Sequence, residues 1–236
     1  MTASLTPRDL IDQLVHNLNQ MAKRGWCGFD CSPDNLTIVR GWGEAQKVLP
    51  TEDTLSKIRK DLGQCQRCGL YQSRTHIVFG SGNSSADLVF VGDHIEDEDD
   101  QKGKPFIGPA GQLLTRIIAA MKLNRDDVYL CNIVKCRPPN NRSPLKSEID
   151  ACSPFLARQI STISPKVICT MGRLATQVIL NSDQPFTRLR GRFHDLNRIK
   201  VMPTFHPAEL LRHPEKKRET WADIQKIMRE LNLPVG

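Results

Sequence analysis

Four of the eight cysteines are spaced as ligands are. Cys65 and Cys68 close the tetrapeptide CQRC, and Cys136 and Cys152 follow with 15 residues between them. Four thiolates suit either tetrahedral zinc or an iron–sulfur cluster. Zinc ribbons use two tight pairs, whereas here one pair is tight and one is open; a cluster accepts more scattered ligands. Spacing alone leaves both possible. Cys131 and Cys169 sit in apolar runs and read as buried structural thiols. Cys27 and Cys31 have a ligand-like spacing but no second pair nearby, and read as unpaired.

A second set of residues suits a planar polar ring. Asn132 carries an acceptor and two donors in one plane, enough to read the amide edge of a base. Phe106, after Lys104-Pro105, offers a stacking face. His206 ends an apolar run and can donate to developing negative charge. Leu210 and Leu211, beside Arg212, can wedge into a base stack.

These residues need elements to hold them. Leu88–Val91 runs into Gly92 as a fully buried strand does. An acidic tract follows from His94 to Asp100, read as a loop, and then a Gly-Lys-Pro-Phe turn. Ala110, Leu113, Leu114, Ile117, Ile118 and Met121 repeat every 3.6 residues and predict a helix. Further strands are predicted at Val128–Val134, Val167–Met171 and Ile199–Phe205, with a short one at Ile77–Phe79. Helical patterns cover 148–163, 174–180 and 215–231. Strand alternating with helix implies an α/β fold, a central parallel sheet flanked by helices. Ligands then sit beyond the carboxyl ends of the strands, where Gly92, Asn132 and His206 fall.

Residues 1–64 form an N-terminal extension and linker, with a helix whose apolar face is Leu10, Ile11, Leu14, Val15 and Leu18. Residues 65–236 form the catalytic domain. The net charge is +7, and residues 65–236 hold all of the basic excess. Such a surface suits a polyanion, nucleic acid first. No apolar run approaches the roughly 20 residues of a membrane span. No export signal is visible, so the expected place is the cytoplasm, on the nucleoid when acting, as a monomer.

The blocks CQRCGL, GKPFIGPAGQLL, CNIVKCRPPNNR, MGRLA and TFHPAELLR, with the later Cys152, occur in one order. Together they resemble a family 4 uracil-DNA glycosylase, the iron–sulfur branch of that superfamily, from about Cys65 to Leu231. The resemblance implies a structural [4Fe–4S] cluster on Cys65, Cys68, Cys136 and Cys152. It implies uracil-containing DNA, double- or single-stranded, as substrate, and hydrolysis to an abasic site without a lysine Schiff base. By similarity Phe106 stacks on the flipped uracil, Asn132 binds its polar edge and His206 stabilises charge on O2. Leu210 fills the gap in the duplex, and the backbone at Gly92 completes the pocket.

One block departs. Where the family reads Gly-Glu-Ala-Pro-Gly, this chain reads Gly92-Asp93-His94-Ile95-Glu96. Ile95 and Glu96 cannot take positive φ cheaply, so the loop must follow another path or carry strain. His94 stands where another superfamily branch has a water-activating Asp, and Asp93 can orient that water or His94 itself. The acidic neighbours are expected to raise the His94 pKa. The rival reading is a non-catalytic or altered-specificity DNA-binding member of the same fold. A covalent uracil-capturing branch carries an Arg- and His-bearing insertion that is absent between Cys136 and Cys152.

Overall fold

Strand β2 (Leu88–Gly92) is buried at every residue, as LVFVG predicts for a strand covered on both faces. The computed structural model that contains it describes residues 53–235. The helix proposed around Leu10–Leu18, and Cys27 and Cys31, lie outside the described residues.

Strand β2 pairs in parallel with β3 (Tyr129–Asn132) and β4 (Val167–Met171), and β4 pairs in parallel with β6 (Ile199–Thr204). Two short edge strands run antiparallel: β1 (Ser81–Gly82) on β3 and β5 (His194–Leu196) on β6. The order is β1-β3-β2-β4-β6-β5. The sheet is therefore mixed, with the four expected strands as its parallel centre. Residues Ile77–Phe79 do not form the expected strand; β1 lies two residues further on.

Alternation splits the core between the two faces. Val89, Val91, Cys131, Ile168 and Val201 pack with Ile149, Leu156 and Ile160 of α4 (Lys146–Ile163) and Ala175 and Ile179 of α5 (Arg173–Leu180). Leu88, Phe90, Leu130, Cys169 and Met202 pack with Leu114 and Ile118 of α3 (Pro109–Ala120) and Ile224, Ile227 and Met228 of α8 (Lys217–Glu230). Each Val, Leu, Ile, Phe or Met among them contributes about 1.5–3 kcal/mol on burial. Helix α1 (Leu55–Leu62) is capped by Thr54, whose hydroxyl accepts from the Lys57 amide at 3.1 Å, and ends at Gly63 with φ 46°. It buries Ile58 and Leu62 against Phe79 and Phe155, and Asp53 and Asp61 both pair with Arg158.

The acidic tract is not a solvated loop. Residues Asp97–Lys102 form helix α2, and Asp99 and Asp100 are buried. Asp100 accepts from the amides of Thr75 and His76, and Asp99 accepts from the Ile107 amide at 2.7 Å. Charge in the sequence here is structural: buried carboxylates are satisfied by backbone donors that would otherwise be orphaned.

Candidate active site

Register makes the site. Gly92 lies opposite both Asn132 and Met171, and Met171 lies opposite Thr204, so four parallel strands end level. A Cβ on Gly92 would collide with Asn132 Oδ1 and come within 2.6 Å of Phe106 Cζ. The missing side chain is the space in which those two residues meet.

Asn132 is fully buried, yet neither Oδ1 nor Nδ2 has a hydrogen-bond partner. Leaving a buried polar group unmade costs about 1–3 kcal/mol, and this amide leaves two. Phe106 is held beside it in a left-handed conformation, φ 57°, a state that costs a non-glycine on the order of 1–3 kcal/mol. Arg125 imposes it by donating to the Phe106 carbonyl at 3.1 Å and the Pro105 carbonyl at 3.0 Å. Gly111 of α3 allows the close approach, since a Cβ there would collide with the Phe106 carbonyl.

His206 caps α7 (Pro207–Arg212), a short helix that follows β6, as α6 (Phe186–Leu189) precedes β5. Its Nδ1 accepts from the Ala208 amide at 3.2 Å, so in the neutral ring the proton sits on Nε2. That Nε2 is buried without a partner. Burial, with His94 and Arg212 nearby, holds the His206 pKa down at about 3. The group is therefore an uncharged donor whose N–H is unspent within the protein. Its ring stacks on His94, centroids 5.3 Å apart, and lies 6.0 Å from the Phe106 ring.

The divergent loop carries no strain of the expected kind. None of Asp93, His94, Ile95 and Glu96 has positive φ, and Ile95 is buried as an apolar anchor. His94 is half-buried, and burial lowers its pKa; Asp99 opposes this without overcoming it. The expected rise is corrected, because removal from water outweighs acidic neighbours turned toward backbone amides. Asp93 is tied to α5: its Oδ1 accepts from the Ala175 amide at 2.5 Å, at the start of that helix. Burial pushes its pKa up to about 6 against the help of the Ala175 and Leu174 amides. Gly172, φ 98°, gives it room, since a Cβ there would strike the carboxylate.

On α7, Leu210 is buried and Leu211, one residue on, is 41 % exposed. Consecutive helical residues point about 100° apart, so only one can face the core. Arg212 is exposed, with its Nε donating to the Ala208 carbonyl at 3.4 Å.

Cys65, Cys68, Cys136 and Cys152 are free thiols on three segments: the CQRC loop, the turn after β3, and α4. Cys136 feels the charge of Cys152 and Cys68, and Cys152 that of Cys68 and Cys65. Arg74 donates to Cys136 Sγ at 3.3 Å and to the Cys65 carbonyl at 2.6 Å, and Arg67 to Cys65 Sγ at 3.7 Å. Cationic donors turned on sulfur fit a thiolate-ligated group that carries negative charge. Among the described residues no three His, Cys, Asp or Glu side chains are grouped so as to hold a metal ion. Cys131 and Cys169 are buried in the two faces of the sheet, as their apolar neighbours predict.

Sequence comparison adds an independent observation. The family described as Uracil DNA glycosylase superfamily matches residues 79–228. A Type-4 uracil-DNA glycosylase of Archaeoglobus fulgidus is 40% identical over 183 residues, covering 74% of this chain and 92% of that protein. Proteins of the same description from Sulfurisphaera tokodaii and Thermotoga maritima are 43% and 41% identical, with 86% and 93% of their lengths covered. Among the described residues no helix is long and apolar enough to cross a membrane.

Proposed function

The chain belongs to the uracil-DNA glycosylase superfamily, and on that premise we propose that the pocket of Gly92, Phe106, Asn132 and His206 takes a flipped uracil from DNA. The protein is a uracil-DNA glycosylase, a hydrolase of DNA repair. The observation that carries the site assignment is the set of buried, partnerless polar atoms, Asn132 Oδ1 and Nδ2 and His206 Nε2. They match a ring with a carbonyl, an N–H and a second carbonyl in sequence along its edge.

In this reading Asn132 Nδ2 donates to uracil O4 and Oδ1 accepts from N3–H, while Phe106 stacks on the ring. The C1′–N1 bond breaks with its electron pair passing to the base. His206 Nε2–H donates to O2, where that charge gathers. A neutral donor suits this role, because it stays poised without being consumed by ionisation at working pH. Water adds to the electron-poor C1′, and His94, neutral because it is buried, accepts the proton that water loses. The uracil anion is then protonated from solvent, leaving an abasic site. Asp93 acts through position, fixing the end of β2 on α5 and so aiming His94.

Leu211 is the apolar side chain on α7 available to enter the duplex, and Leu210 supports it from the core. Arg212 beside it meets phosphate. Flipping costs a few kcal/mol, least at a mispaired base. Cys65, Cys68, Cys136 and Cys152 would hold a [4Fe–4S] cluster, which supplies a cross-link between distant segments and not a reaction step. Arg74 donating to Cys136 Sγ and Arg67 donating to Cys65 Sγ support this reading.

Incubation with a labelled single-uracil duplex, followed by alkali, tests the assignment. Cleavage at uracil in the parent and its loss in Asn132→Ala support it; an uncut duplex with the parent protein overturns it.

A further inference from the structure

Lys135 lies between the base-reading residue and a proposed cluster ligand. It is 1 % exposed, and its backbone is fixed because its carbonyl accepts from the Val78 amide at 2.8 Å. Its Nζ donates to the Asn132 carbonyl at 2.8 Å. Among the described residues that is its one hydrogen bond, and no carboxylate pairs with it. A buried ammonium has three donors, and leaving its charge unbalanced costs several kcal/mol. The catalytic scheme above makes no use of this lysine.

The charge does have neighbours. It is felt at the thiols of Cys131 and Cys152, and the Lys135 amide also bonds to Cys152. Cys136 is the next residue in the chain. Free thiols offer no counter-charge, but thiolates bound to iron do.

We propose that Lys135 is a positioning residue that couples the cluster to the uracil pocket: the anionic cluster holds the ammonium, and the ammonium holds the carbonyl of Asn132. The proposal rests on the cluster reading above. Nothing else in the described structure ties the end of β3 through a side chain at this point. Removing the charge should therefore loosen iron and weaken base recognition together. Coupling is reciprocal, so a base seated on Asn132 must also stabilise the cluster.

The test uses the intact iron-loaded protein with two duplexes of one sequence, carrying either 2′-fluorinated deoxyuridine, which resists cleavage, or thymidine. Iron release to an excess of chelator is followed from each complex. The parent should release iron roughly fivefold more slowly with the fluorinated uridine, a factor within ordinary coupling energies. Lys135→Gln should abolish that difference and lose about 10-fold of its discrimination between the two duplexes, the size of one charge-assisted hydrogen bond. Lys135→Arg should restore both. Equal release from the two parental complexes overturns the proposal, and this arm decides even where Lys135→Gln fails to accumulate. A parental difference that survives in Lys135→Gln also overturns it. Parental protein free of iron removes the cluster reading itself, whereas iron-loaded protein with no difference removes only the link.

Discussion

The imidazoles of His94 and His206 stack, centroids 5.3 Å apart and planes 28° apart. Both rings are held below the ordinary histidine pKa, in each case chiefly by burial. A neutral donor and a neutral acceptor thus share one wall of the site. The pairing assigns opposite duties to two chemically identical side chains.

For His94 the consequence is a pH limb. The base must be unprotonated, and its lowered pKa moves the acid limb of excision below the usual histidine value of about 6.5. Single-turnover excision should be flat through neutral pH and fall only in more acid buffer. His94→Ala should be slower by on the order of 10²-fold, the low end of general-base help. A His94→Ala enzyme with parental rate and profile makes His94 a wall of the pocket and no more.

Asp93 predicts a pH dependence of stability. Its folded pKa of about 6 exceeds the unfolded value, about 3.9 for aspartate. The folded state therefore holds the proton more tightly, and stability declines as pH rises from about 4 to about 6. Asp93→Asn cannot ionise and should flatten that segment of the profile. Thermal unfolding at pH 4, 5, 6 and 7 checks it; parallel profiles for parent and variant would rule out a buried, ionising Asp93.

Leu210 and Leu211 should separate cleanly. Leu210→Ala opens a cavity in a closed core and should cost about 2–5 kcal/mol of stability. Leu211→Ala should leave the unfolding midpoint alone and slow excision, most from a well-paired A·U site where flipping is dearest. Denaturant unfolding and excision rates on A·U and G·U duplexes measure both. Equal excision by Leu211→Ala and parent on A·U removes Leu211 from the DNA contacts.

The cluster should show itself by colour and iron. Protein purified without oxygen should be brown and contain about four irons per chain. Cys136→Ala should lose iron and solubility together, since the proposed cluster would join segments distant in the chain. Colourless protein with one tightly bound zinc contradicts the assignment.

Much of this was legible because period and position carried it. The four parallel strands, their helices and the strand-end places of Gly92, Asn132 and His206 all follow from apolar runs and their punctuation. Most of the blocks that resemble the glycosylase family lie within residues 79–228, where the superfamily matches. What the sequence hid was direction. DEDD looks solvated until Asp99 and Asp100 turn inward onto amides eight to twenty-five residues away. Adjacent leucines cannot be told apart without knowing which face of α7 packs. Acidic neighbours point to a raised His94 pKa while burial lowers it, because charge is visible in a sequence and desolvation is not.

The most direct test of the pocket is single-turnover excision from one uracil duplex by the parent, Asn132→Ala and His206→Ala, with each variant's unfolding midpoint measured alongside. Each variant should lose on the order of 10²–10³-fold in rate, the worth of a preorganised donor aimed at developing charge. Asn132→Ala should remain about as stable as the parent, because unpaired buried polar atoms have been removed, and His206→Ala should lose only the roughly 0.5–2 kcal/mol of a helix cap and stay folded. Variants that excise uracil at the parental rate, or that lose activity only by unfolding, would contradict the account.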